Sequence, residues 1–196
     1  MKIVGLTGGI GSGKTTVGKM FQTFEIPLYI ADEEAKKLMH TPELVSSITN
    51  LLGERAYSKG KLDRSYIADQ VFNNDDLLQE LNAIVHPAVG KHFSEWCEDK
   101  KAPYVIKEAA ILFENSSYKI NAFNILVTAP EKLRLQRVLR RDDSTKEKVQ
   151  ARMRKQWSDE KKIKLADFII DNIELEKTEK TVQKIHVKIM GSLVNS

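Results

Sequence analysis

Residues 3–17 read Ile3-Val4-Gly5-Leu6-Thr7-Gly8-Gly9-Ile10-Gly11-Ser12-Gly13-Lys14-Thr15-Thr16-Val17. Positions 8–15 fit the pattern G-x-x-x-x-G-K-[ST] without substitution. An apolar run precedes them and a helical pattern follows, so the order is strand, Gly-rich loop, helix. Glycines let such a backbone curl until its N–H groups point into one concavity. A phosphate there meets those donors and the positive end of the helix dipole. Lys14 then reaches the β- and γ-phosphates, and the Thr15 hydroxyl ligates Mg²⁺. A flexible turn would explain the glycines, but not Lys and Thr in register at a helix start. A cation at that end of a helix is unfavourable unless an anion joins it.

Outward from this loop, short apolar runs alternate with helical periodicity. Strands are predicted at Ile3–Leu6, Pro27–Ile30, Pro103–Ile106, Ala122–Thr128 and Phe168–Ile170, each read as covered on both faces. Val17, Met20, Phe21 and Phe24 fall on one helical stripe. Pro130 opens a helix carrying Leu135, Val138 and Leu139, and Val182, Ile185, Ile189 and Leu193 mark a final docked helix. This alternation predicts an α/β fold with a parallel, doubly wound sheet of five strands flanked by helices. Residues 33–102 are too many for one crossover helix. Asp63 is the expected N-cap of a helix with Tyr66, Ile67, Val71 and Phe72; Leu77, Leu78, Leu81 and Ile84 predict another, stopping before His86-Pro87. The gap therefore reads as a helical insertion leaving the sheet at Asp32, on the side where a second substrate binds.

Composition narrows the class further. The chain has 196 residues, 41% hydrophobic and 30% charged, enough for one domain with a small insertion. No apolar run approaches a membrane span, and the first residues lack a signal-peptide pattern. Cys97 has no partner for an internal disulfide, which fits a reducing cytoplasm. The net charge of +4 comes with basic residues concentrated between Lys132 and Lys164 among acids. That pattern favours small anionic phosphates over nucleic acid.

Phosphoryl transfer needs a phosphate cradle, a metal, cations, and a group that orients the acceptor. Asp32 ends the second strand, where it serves either as a proton acceptor or as the N-cap of a helix over 33–39. Glu108 ends the third strand, where a carboxylate holds Mg²⁺ through water or sits solvated in a loop. Arg134, Arg137 and Arg141 share one helical face with Arg140 beside it, and Arg152 and Arg154 follow. Alone, that face reads as solvated; beside the loop, Arg137 and Arg141 are assigned to the nucleotide, and Arg134 and Arg154 to the surface. Ser12 and Thr16 add phosphate or capping bonds. His40, His86, His92 and His186 have no metal-ligand spacing with Cys97 or one another.

At this point the chain resembles the dephospho-coenzyme A kinase family of P-loop kinases. The opening IVGLTGGIGSGKTTV is similar almost throughout. The likeness continues in Asp32, Leu62-Asp63-Arg64, Val71-Phe72-Asn73, the stretch from Leu81 to His86-Pro87, and Ile111-Leu112-Phe113-Glu114. It ends with Gln136-Arg137…Arg141-Asp142, Arg152 with Gln156, and Ala166-Asp167…Asp171-Asn172. Two departures stand out. Glu108-Ala109-Ala110 replaces the family's Asp-x-Pro, and Ile30-Ala31-Asp32 replaces its frequent Asp-Ala-Asp.

The resemblance implies a nucleoside-monophosphate-kinase-like P-loop fold. Its core would comprise 1–32, 101–136 and 161–196, with a helical coenzyme-binding insertion over 33–100 and a lid over 137–160. It implies transfer of the ATP γ-phosphoryl to the ribose 3′-hydroxyl of dephospho-coenzyme A, with ATP and Mg²⁺ as cofactors. Lys14, Asp32 and Arg141 are then catalytic. Gly11, Ser12, Gly13, Lys14, Thr15, Thr16, Arg137 and Arg141 hold ATP. Asp32, His86 and Glu108 face the acceptor, and Thr15 directly and Glu108 through water hold the metal. The expected partner is the small molecule alone, with no nucleic acid and no membrane, in a monomer or weak homo-oligomer. The competing readings are a P-loop kinase of a nucleoside monophosphate and a nucleotide switch; the latter needs an Asn-Lys-x-Asp element that the chain lacks.

Overall fold

The apolar runs become strands because each is short; the inner ones are buried from both sides, which suits a parallel sheet. The edge run Phe168–Asp171 leaves Ile169 41% exposed, so the expected two-sided cover fails there. The computed structural model describes residues 1–72 and 74–194; Asn73, one residue of the resemblance, lies outside them. In chain order the elements are β1 (Lys2–Thr7), α1 (Lys14–Gln22), β2 (Leu28–Ile30), α2 (Ala31–Leu38) and α3 (Pro42–Leu52). Then come β3 (Tyr57–Ser58), β4 (Lys61–Leu62), α4 (Arg64–Phe72), α5 (Asp75–Glu98), β5 (Tyr104–Glu108) and β6 (Phe123–Thr128). The chain closes with α6 (Glu131–Arg141), α7 (Lys146–Arg154), α8 (Asp159–Ile163), β7 (Phe168–Asp171) and α9 (Leu175–Val194). Among the described residues no helix is long and apolar enough to cross a membrane.

The chain divides into two units, Met1–Ile30 with Lys100–Ser196, and Ala31–Asp99. The first carries a parallel sheet in the order β2-β5-β1-β6-β7. The five predicted strands and their parallel pairing are those observed. β1 is central, with β5 on one side and β6 on the other, so the loop after Thr7 opens at the point where the strand order reverses. Alternation along the strands sorts the faces. Val4, Leu6, Tyr104, Ile106, Ile125, Val127 and Ile170 pack with Val17 and Phe21 of α1 and Val182, Ile185 and Ile189 of α9. Glu108 has the parity of Tyr104 and Ile106, so it points to the face that α1 covers.

The second unit is built from helices plus the antiparallel β3–β4 hairpin, which the sequence reading did not foresee. Asp63 caps α4 as expected, its Oδ1 accepting from the Tyr66 N–H at 2.9 Å. The predicted stop before His86-Pro87 is wrong: α5 runs through Pro87 to Glu98. Leu81, Val85, Val89 and Phe93 are buried four residues apart along it. That stripe spans the proline, and its burial outweighs one lost backbone bond. Pro87 and Ala83, whose carbonyl loses its partner, lie on the exposed side, where water can satisfy it.

Candidate active site

Between Thr7 and Lys14 the loop turns through two left-handed glycines, Gly11 (φ 79°) and Gly13 (φ 93°). Side chains are excluded there twice over. A Cβ on Gly11 would strike the Arg134 backbone carbonyl, and one on Gly13 the Asn172 amide nitrogen. Gly13 caps α1 without a side-chain acceptor, and the first turn of α1 holds no acidic residue. The positive end of the helix is thus left to a ligand. Ser12 is fully buried, yet its Oγ has no hydrogen-bond partner among the described residues. Such an orphaned donor fits an anion in the cradle.

The loop is held from outside by polar contacts. Asn172 Nδ2 donates to the Ser12 carbonyl at 2.8 Å, and the Asn172 side-chain oxygen accepts from Thr178 Oγ1 at 3.2 Å. Arg137 donates to the carbonyls of Asn172 (2.9 Å) and Ser12 (3.4 Å). The Ile10 N–H donates to Gln156 Oε1 at 2.8 Å. Inside the loop, Lys14 Nζ donates to the Gly8 carbonyl at 3.0 Å. In the first turn of α1, Thr15 Oγ1 donates to Glu108 Oε1 at 3.1 Å. Glu108 is only 5% exposed, and the parity of β5 aims it at the start of α1.

The structure therefore brings Gly11, Ser12, Gly13, Lys14, Thr15, Glu108 and Arg137 together. Thr16 adjoins them in α1 with its side chain exposed. Arg141 is not gathered in: it lies one turn beyond Arg137, its side chain 68% exposed and paired with Asp142 at 2.8 Å. Its hydrogen bond to Asp142 raises its pKa, so it stays charged. Arg134 corrects the surface assignment. Its side chain is 11% exposed, lies against Gly9, and pairs with Asp159 at 3.1 Å. Asp32 and His86 belong to the second unit, both exposed. α2 begins at Ala31, so Asp32 sits in its first turn, where an acid suits the dipole, and is not the N-cap. Arg154 is exposed, as expected.

Two functional supports escaped the sequence reading. Asn172 was part of the resemblance but had no assigned role. Its position just past β7, at the ligand edge of the sheet, is the signal that would have found it. Gln156 too was part of the resemblance, beside Arg152, without an assigned role; its local sequence carries no signal of the contact, because its partner is 146 residues away.

A family model for dephospho-CoA kinase matches residues 2–177. The chain belongs to the dephospho-CoA kinase family. A family member from Bacteroides fragilis is 38% identical over 171 residues, 86% of this chain and 83% of its own. Among solved structures, TT1252 from Thermus thermophilus superposes with a TM-score of 0.88 at 31% identity, covering 95% of this chain and 96% of that one. The dephospho-CoA kinase from Campylobacter jejuni gives 0.69 at 26% identity, covering 96% and 98%. Membership makes this chain a P-loop kinase that uses ATP.

Proposed function

We propose that this enzyme transfers the γ-phosphoryl of ATP to the ribose 3′-hydroxyl of dephospho-coenzyme A, yielding coenzyme A and ADP in a Mg²⁺-dependent reaction. The observation that carries the proposal is the Thr15–Glu108 pair at the mouth of the loop, in a chain of this family. A hydroxyl and a buried carboxylate offer hard oxygen ligands, which suit Mg²⁺. Thr15 Oγ1 would bind it directly and Glu108 through water, the Thr15 proton remaining directed at Glu108. Held by these residues, Mg²⁺ would supply positive charge against the phosphates. Among the described residues no cluster of three acidic, His or Cys side chains could hold a metal, and a phosphate-bound Mg²⁺ needs none.

The chain's own residues supply the rest. Backbone N–H groups from Gly11 to Thr15 and the start of α1 hold the phosphates, and Lys14 exchanges the Gly8 carbonyl for them. Arg137 and Arg141 balance charge developing on the transferred group. Asp32 accepts the proton of the 3′-hydroxyl, and His86 and Glu108 lie on the acceptor side. Residues 33–100 bind the coenzyme, and residues 137–160 form the lid of the core of 1–32, 101–136 and 161–196. The enzyme works on a small molecule as a monomer or weak homo-oligomer in the cytoplasm. ADP release should be measured with dephospho-coenzyme A, with AMP, and with no acceptor. Turnover with the first alone is expected; turnover with AMP but not dephospho-coenzyme A overturns the proposal.

A further inference from the structure

Ile10 is an apolar residue at the apex of a loop built to hold phosphate, and neither of its groups is idle. Its side chain packs against a small cluster of Val138, Val149 and Met153, with Leu135 beside it. These residues belong to α6 and α7 and are separate from the main core. Its N–H is committed to Gln156 Oε1 at 2.8 Å. Gln156 is fixed in turn. Its own N–H donates to the Met153 carbonyl at 3.2 Å, and the next N–H, of Trp157, donates to Glu114 Oε1 at 3.2 Å. Glu114 pairs with Lys162, which is fully buried, at 2.9 Å. Arg134, lying against Gly9, pairs with Asp159. Two shielded ion pairs thus pin the strap over residues 156–162 behind the loop. Losing one partner of such a pair leaves a buried charge, so the strap is held firmly.

We infer that Ile10 and Gln156 form a latch that sets the apex of the phosphate loop against α6 and α7, making both positioning residues for the nucleotide. The Ile10 N–H is then no phosphate donor. It stays on Gln156 while the N–H groups from Gly11 to Thr15 receive the phosphates. Pre-setting the loop matters because each donor must meet its oxygen within a few tenths of an ångström. The inference rests on the kinase reading, so the test separates the two.

ADP binding is measured by calorimetry on the full chain, with amide exchange at Ile10 followed by NMR. Gln156→Ala is expected to weaken ADP binding about 5- to 10-fold, the effect of one lost hydrogen bond, and to speed Ile10 exchange. The KM for ATP should rise similarly while the KM for the acceptor stays put. Gln156→Glu, which keeps an acceptor oxygen at the same reach, should restore Ile10 protection. On adding ADP to the unaltered chain, the amides of residues 11–15 should shift more than that of Ile10. ADP affinity within about twofold of the unaltered chain in Gln156→Ala, with Ile10 exchange unchanged, overturns the latch. An unaltered chain that binds no ADP overturns the kinase reading, and the nucleotide role of the latch with it.

Discussion

Around residues 8–15, beside the packing of Ile10, polar contacts to backbone atoms set the geometry. Asn172 and Arg137 grip the Ser12 carbonyl, and Gln156 holds the Ile10 N–H. Within residues 31–99 the order comes from apolar side chains: Leu44, Ile48 and Leu52 of α3, Ile67 of α4, and the buried stripe of α5. The difference is one of direction. A hydrogen bond fixes distance and angle, whereas apolar burial is roughly proportional to area and tolerates shape changes. Substitutions near the loop should therefore change rate more than stability, and those inside the helical unit should do the reverse.

The strongest expected effect is at Lys14. Lys14→Ala should lower kcat/KM by about 10³-fold, in line with losing one strong electrostatic contact to the transition state. Its melting temperature should move little, because Lys14 is half-exposed. A loss below tenfold would remove it from the phosphate site. Asp32→Asn is chosen to break the division between the two regions, since Asp32 lies in the helical unit yet is proposed to do chemistry. Its kcat should fall by about 10²-fold or more with ADP affinity unchanged, the contribution of a general base. A near-normal kcat returns Asp32 to the dipole-favoured first turn of α2.

Arg137 and Arg141 sharpen the comparison on a single helix face. Arg137 is tied to two carbonyls of the loop region, so Arg137→Ala should weaken ADP binding and lower kcat together. Arg141 pairs with Asp142 and is exposed, so Arg141→Ala should lower kcat by about tenfold and leave ADP affinity alone. An unchanged kcat for Arg141→Ala would restore the solvated-face reading.

What could be read from the sequence follows the same division. The five strands and their parallel pairing were legible because each is a short apolar run between helices. The loop was legible because its chemistry is local, with Gly11, Gly13, Lys14 and Thr15 in one window. The path of α5 was misread because Pro87 gives a strong local stop signal, while the stripe that overrides it is buried by tertiary packing. Arg134 was misread for a related reason: nothing near it in sequence announces Asp159 or the close approach of Gly9 and Gly11. Gln156 and Asn172 act on the loop from 146 and 160 residues away, and side-chain-to-backbone bonds of that span leave no periodicity.

In the helical unit the expected readout is stability. Leu81→Ala, on the buried face of α5, should cost about 2–4 kcal/mol from lost transfer energy and the cavity left behind. At a temperature well below its melting point the variant should keep a normal kcat. A large fall in kcat without loss of stability would show that α5 shapes the acceptor site directly.

The smallest effect is expected at the end of the strands away from the loop, where His186 of α9 tests whether the core also carries a titrating contact. Its ring stacks on Phe24 with centroids 4.6 Å apart, and Nδ1 lies 2.7 Å from the Tyr104 hydroxyl. Burial raises the Tyr104 pKa, so that hydroxyl keeps its proton, and it donates to Nδ1 or accepts from it according to the ring tautomer. Burial lowers the His186 pKa below its ordinary 6.5. Between the folded value and 6.5 the unfolded chain binds a proton that the folded chain does not, so stability rises with pH there. The contribution is complete above 6.5 and is lost as the pH falls through it. His186→Gln keeps a polar group without that titration. The stability lost between about pH 7.5 and pH 5.5 should then be smaller in the variant than in the unaltered chain. Equal losses would mean that carboxylates elsewhere, and not His186, set the acid side of the stability profile.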